Sequence, residues 1–198
     1  MPSDSPELHP VHKPHGWNWG ELLLSVAALV TSAMSVVIAL RHGEVMDKML
    51  KASSLPFLTV YSGNYVNGKT VAHLTLRNEG VGPARVMSLR LSLDGKPMHS
   101  LQDFLQQCCG GHAPEGSLDE SNAYERFIPA RGESELFSLA PASDKDPAYI
   151  AFDQARSRMQ IQLCYCSVFD ECYEYVPIVA EAKPVAACPV DRTAEFVP

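Results

Sequence analysis

The chain has 198 residues, 46% of them hydrophobic and 20% charged, and a formal net charge of −7. The acidic balance excludes nucleic acid as an expected partner, because nucleic-acid binders carry a basic surface. About 155 residues follow the first apolar run, enough for one domain with its own core.

Residues 1–19 read as a disordered Pro/His-rich tail, with Pro2, Pro6, Pro10 and Pro14 and too few apolar residues to fold alone. His9, His12 and His15 recur every three residues, which aligns them on one edge of a polyproline II helix. Imidazoles so placed are weak candidates for a transition metal. A flexible tail is not a preformed site, so no metal is assigned.

Residues 22–40 read LLLSVAALVTSAMSVVIAL without a charge. That is close to the ~20 residues a helix needs to cross a bilayer core of roughly 30 Å, and a transmembrane helix is expected over 20–41. A cleaved signal peptide would have a basic start, a shorter apolar run and a small-residue cleavage site. An amphipathic surface helix would need a charged face. Trp17 and Trp19 stand where aromatic rings favour the headgroup layer. Ala27, Thr31, Ser35 and Ala39 recur every four residues on one stripe. Small residues at that spacing let two helices approach closely in lipid, so the stripe is a candidate packing face for self-association or a partner helix.

Residues 42–54 continue as a helical stalk, with Val45, Met46, Met49 and Leu50 at helical spacing and Glu44–Lys48 and Asp47–Lys51 as i,i+4 pairs. Arg41, Lys48 and Lys51 follow the span and Lys13 alone precedes it. By a narrow charge difference the positive-inside rule points the C-terminal domain to the cytoplasm.

From Pro56 the pattern changes to strands, expected over 55–61, 70–77 and 85–94. Turns separate them at 64–68 and at Asn78-Glu79-Gly80-Val81-Gly82-Pro83-Ala84, where two glycines are expected to supply unusual dihedrals. Asp94-Gly95 signals a tight turn. Residues 100–107 have helical spacing, with Ser100 and Asp103 placed as a capping box. A polar loop is expected over 108–122, then strands at 126–128 and 135–139 around Pro129-Ala130-Arg131-Gly132. Asp146-Pro147 signals a helix start within 144–158. Residues 159–169 alternate most clearly. Asp170-Glu171 turns the chain into a partner strand over 172–179, and an irregular tail is expected over 183–198. About seven strands with short turns and two helical insertions predict a mainly β fold, a β-sandwich over 55–182.

The order Asn-Glu-Gly-Val-Gly-Pro-Ala after a strand, then Leu93-Asp94-Gly95, then Ile128-Pro129-Ala130-Arg131-Gly132-Glu133-Ser134, resembles a pattern of immunoglobulin-like bacterial surface modules. It is more similar to small bacterial single-span membrane proteins with an immunoglobulin-like β-sandwich and an Asn-x-Gly-x-Gly-Pro-Ala turn. The likeness covers residues 56–140, and the turn at 128–132 departs from the pattern by two inserted residues. The resemblance implies an immunoglobulin-like fold and a bacterial inner membrane, and no activity.

The six cysteines are Cys108, Cys109, Cys164, Cys166, Cys172 and Cys188. Three readings stay open. They are disulfides in an oxidising compartment. They are a zinc site drawn from Cys108, Cys109, His112, Cys164 and Cys166, although the usual Cys spacing for zinc is missing. Or they are reduced thiols packed as small apolar groups. Disulfides require the domain to lie outside the cytoplasm, against the charge count.

No G-x-S-x-G or H-E-x-x-H motif occurs. The expectation is a non-enzymatic membrane-anchored protein without a cofactor. Its partners would be the lipid bilayer and a protein or a second copy, met through the span and stalk. The alternative is a metal- or redox-responsive membrane sensor using the cysteines.

Overall fold

The structure is a computed structural model that describes residues 18–177, 181–189 and 191–197. Trp17 and the histidines of the N-terminal tail lie outside the described residues. The chain divides into two units, Met1–Lys48 and Met49–Pro198.

A single helix, α1, runs over Trp19–Ser53, so the expected span and stalk are one uninterrupted element. It is long and apolar enough to cross a membrane, and none of its residues is buried. Its hydroxyls are satisfied within the helix. Thr31 Oγ1 donates to the Ala27 and Ala28 carbonyls at 3.0 Å, and Ser35 Oγ donates to the Thr31 carbonyl at 2.8 Å. A hydroxyl bonded this way presents little unsatisfied polarity to hydrocarbon.

The remaining elements are β1 (Leu58–Val66), β2 (Lys69–Asn78), β3 (Ala84–Leu93), β4 (Lys96–Met98), α2 (Leu101–Cys109), β5 (Gly116–Glu120), β6 (Phe127–Ile128), β7 (Glu133–Pro141), α3 (Pro147–Arg156), β8 (Met159–Cys166), β9 (Cys172–Val176) and β10 (Glu181–Val185). They form two sheets with every neighbour antiparallel. One has the order β1-β2-β7-β5, the other β10-β9-β8-β3-β4 with β6 also on β3. The fold is therefore mainly β, as the strand periodicity predicts.

Alternation decides which side chains meet between the sheets. Ala72, Leu74 and Leu76 of β2, Leu89, Leu91 and Leu93 of β3, and Leu163 and Tyr165 of β8 all enter one hydrophobic cluster, which Val86 joins across a register shift in β3. Two Asx-Gly pairs close hairpins. Asn67-Gly68 and Asp94-Gly95 both take positive φ at both residues, the turn whose twist matches that of paired strands. The first of these is tighter than the expected 64–68 turn, and β1 runs on to Val66.

Helix α2 carries the capping box. Asp103 N donates to Ser100 Oγ, and Ser100 N donates to Asp103 Oδ2, both at 3.2 Å. Asp146 caps α3 by accepting from Ala148 N at 3.0 Å, with Pro147 in the first turn. Phe104 of α2, Phe137 of β7 and Phe152 of α3 pack mutually, with the closest ring centroids 4.9 Å apart.

Three expectations need correction. The loop expected over 108–122 begins as the last turn of α2 and contains β5. Strand β5 has one apolar residue, Leu118, and is specified by pairing with β7 rather than by its own alternation. The tail expected to be irregular supplies β10 and then places Glu195 and Phe196 in buried positions. Finally, Gly80 and Gly82 do not take left-handed φ. They are glycines because backbone passes close by.

A Cβ on Gly82 would stand 2.0 Å from the Ser54 carbonyl oxygen, and one on Gly80 would stand 2.4 Å from Phe57 N. Both obstacles are main chain and cannot rotate away. Gly82→Ala is expected to lower the domain's stability by about 1–3 kcal/mol, the usual cost of overpacking. Gly68→Ala is also unfavourable, through its φ of +80°. The two mechanisms separate in urea unfolding combined with limited proteolysis, because only Gly82→Ala dislodges residues 54–57.

Candidate functional site

Strand β8 places Leu163 and Tyr165 inward and Cys164 and Cys166 on its opposite face. The outward cysteines are nonetheless buried, because the C-terminal segment lies over them. Cys164 is bridged to Cys188 of that segment, with 5.6 Å between Cα atoms. Cys166 is bridged to Cys172, its direct cross-strand neighbour on β9. The two bridges touch, since Cys166 Sγ is 3.8 Å from Cys188 Sγ. The loop between Cys166 and Cys172 is ordered by Ser167, whose Oγ accepts from Phe169 N and Glu171 N. Arg85 of β3 pins its tip through Asp170 at 2.5 Å.

Beyond Cys188 the segment fills the part of the β3 edge that β4 and β6 leave open. Arg90 donates to the Pro189 carbonyl at 3.3 Å. The buried Glu195 carboxylate accepts from Ser88 Oγ at 2.9 Å and Leu89 N at 2.6 Å, and pairs with Arg90 Nε at 3.5 Å. Phe196 N donates to the Leu89 carbonyl and Val197 N to the His99 carbonyl, both at 2.8 Å. The Phe196 ring enters the core at 1% exposure. A carboxylate is tolerated there because each oxygen has a donor and a guanidinium lies beside it.

Cys108 and Cys109 form a third bridge, between adjacent residues in the last turn of α2. It packs on the core, and Cys109 Sγ lies 3.9 Å from the Ala148 carbonyl of α3. The cysteines thus pair within two groups, 108–109 and 164–166–172–188. This corrects the zinc reading that joined Cys108, Cys109 and His112 to Cys164 and Cys166. Among the described residues no cysteine is free, the arrangement of the disulfide reading. Periodicity placed Cys164 and Cys166 on one face but carried no signal for Cys188, whose partner is set by the path of the C-terminal segment.

The small-residue stripe Ala27, Thr31, Ser35 and Ala39 is exposed along α1. His9, His12 and His15 lie outside the described residues. His73 is a packed strand histidine, buried with its ring 5.5 Å from that of Tyr61 and lying over Gly63. Around it, the outer face of the β1-β2-β7 sheet carries Tyr61, Tyr65, Arg77 and Glu133, which line a recess of about 310 Å³. Arg77 bonds Glu133 at 3.2 Å and lies 5.5 Å over the Tyr61 ring. Tyr61 and Tyr65 are 53% and 66% exposed.

Tyr165 of β8 sits in the core, and burial pushes its phenol up to about 12. The unfolded tyrosine ionises near pH 10. Between about pH 10 and 12 the unfolded state therefore sheds a proton that the folded state keeps, and stability falls as pH rises. Below pH 10 the group is neutral in both states and contributes no slope. Tyr165→Phe is expected to flatten the decline seen in urea unfolding at pH 9, 10 and 11.

No known protein family matches the chain, and no curated protein or solved structure is similar to it.

Proposed function

We propose that this chain is a non-enzymatic, single-span protein of a bacterial inner membrane, whose immunoglobulin-like β-sandwich mediates protein–protein interaction or assembly at the membrane. The observation that carries the reading is α1, a long apolar helix that buries none of its residues. So much contiguous apolar surface requires a cover, and lipid is the cover its length fits. The strand orders support the immunoglobulin-like reading. β1-β2-β7-β5 corresponds to A-B-E-D, and β9-β8-β3-β4 to G-F-C with one added strand. Exposed Tyr61 and Tyr65 beside Arg77 are residue types enriched at protein interfaces.

The pairing of all six cysteines supports placing the domain on the oxidising side of the membrane, the periplasm. The charge bias points the other way, with Arg41, Lys48 and Lys51 after the span against Lys13 before it. The bridges weigh more, because they do not persist in a reducing compartment. A second reading, a redox-responsive sensor, is favoured by the contact between two bridges at Cys166 and Cys188.

Carbonate washing of membranes should leave the full-length chain in the pellet, and crosslinking in detergent should capture a second copy or a partner. A chain found in the aqueous wash, or only ever a monomer, sinks the proposal. An impermeant maleimide applied to spheroplasts should label cysteines only after reduction. Labelling that needs lysis instead assigns the domain to the cytoplasm.

A further inference from the structure

The geometry points to Cys164, Cys166, Cys172 and Cys188 as one thiol–disulfide exchange site that takes a dithiol as reductant and passes its electrons from one bridge to the other. Two bridges alone would be staples. Their contact makes them more. Cys166 Sγ lies 3.8 Å from Cys188 Sγ, and the sulfurs of Cys166, Cys172 and Cys188 all fall within 4.8 Å of one another. Exchange needs a thiolate held against a disulfide sulfur, and proximity of this kind replaces a bimolecular encounter.

Accessibility and contact together order the steps. Cys166 is 2% exposed and Cys164 is 4% exposed, while Cys172 and Cys188 are both half-buried, and attack at Cys172 is the one that frees Cys166, the sulfur in contact with the other bridge. A dithiol attacks Cys172 Sγ, forms a mixed disulfide there and releases the Cys166 thiolate. That thiolate attacks Cys188 Sγ. The Cys166–Cys188 bond forms, the Cys164–Cys188 bond breaks, and Cys164 leaves as a thiolate that takes up a proton. The second thiol of the reductant then resolves the mixed disulfide and frees Cys172. In sum one dithiol becomes a disulfide, and two bridges become one bridge and two thiols. Two electrons and two protons are transferred.

The product keeps the C-terminal segment tethered. Its anchor moves two residues along β8, about 7 Å at the rise of a strand. That segment carries Glu195 and Phe196, which fill the β3 edge, so the exchange acts on the packing of the domain.

The proposal rests on the bridged state of the domain proposed above, and the two are tested separately. Mass mapping of the full-length protein, alkylated without reductant, reports on the bridged state alone. Free thiols there remove both. With the bridges found intact, limiting dithiothreitol followed by alkylation should label Cys164 and Cys172 and yield a Cys166–Cys188 peptide. Label confined to Cys166 and Cys172, with Cys164–Cys188 retained, overturns the exchange. Cys172→Ser gives a second arm that needs no reductant. Its label should divide between Cys164 and Cys166, whereas label on Cys166 alone refutes the idea. In Cys166→Ser, Cys164–Cys188 should open about tenfold or more slowly with the same dithiol, because the internal nucleophile is gone. Opening at the wild-type rate counts equally against it.

Discussion

Replacing Asn78 with alanine is expected to destabilise the domain by about 4 kcal/mol, a large part of the 5–15 kcal/mol typical of a folded domain. Asn78 ends β2 and is fully buried. Its Oδ1 accepts from Phe57 N at 3.1 Å and from Gly80 N at 3.0 Å. Its Nδ2 donates to the Gly82 carbonyl at 2.8 Å, and to those of Ile128 at 3.1 Å and Pro129 at 3.2 Å. One side chain thus joins the entry to β1, the turn after β2 and the end of β6. Alanine strands two main-chain donors, each costing about 1–3 kcal/mol when buried, and opens a void between three segments. Asn78→Asp should be comparably harmful, because a second carboxylate oxygen would replace the donor and face three carbonyls. Glu79→Ala, on the exposed side of the same turn, should stay within about 0.5 kcal/mol. Urea midpoints of the three variants check this ordering, and an Asn78→Ala midpoint equal to that of Glu79→Ala refutes it.

Phe196→Ala is expected to cost about 3–5 kcal/mol, the range for a buried aromatic in a well-packed core. The position lies in a segment with no regular structure, where sequence alone would place a tolerant site. The ring is nevertheless buried, and the adjacent Glu195 carboxylate depends on the same local fit against Ser88, Leu89 and Arg90. Loss of the ring therefore loosens the cap on the β3 edge as well as the core. Near-UV circular dichroism and proteolysis between residues 189 and 197 should both report it. Val197→Ala, at an exposed neighbouring position, is the control and should be nearly silent.

These residues also show which features were legible before folding. Ser100 and Asp103, Asp146 and Pro147, and the Asp94-Gly95 turn act on neighbours within four residues, so spacing alone predicts them. The inward sets of β2, β3 and β8 follow from the two-residue period. Strand β5 is not legible in the sequence because it is an edge strand with a single apolar side chain. At Gly80 and Gly82 the sequence predicts unusual dihedrals, which neither glycine adopts. The constraint is the backbone at residues 54–57, more than twenty positions upstream.

The sequence by itself determined the charge-free apolar helix, the change to strand periodicity after Pro56 and the helix caps, because each depends on local geometry or on total apolar length. Only the tertiary structure decided which cysteines pair, why Asn78 is asparagine, and that the last residues belong to the core. Those outcomes depend on groups far apart in the chain, and no local propensity encodes which of several possible partners a folded path will bring within bonding distance.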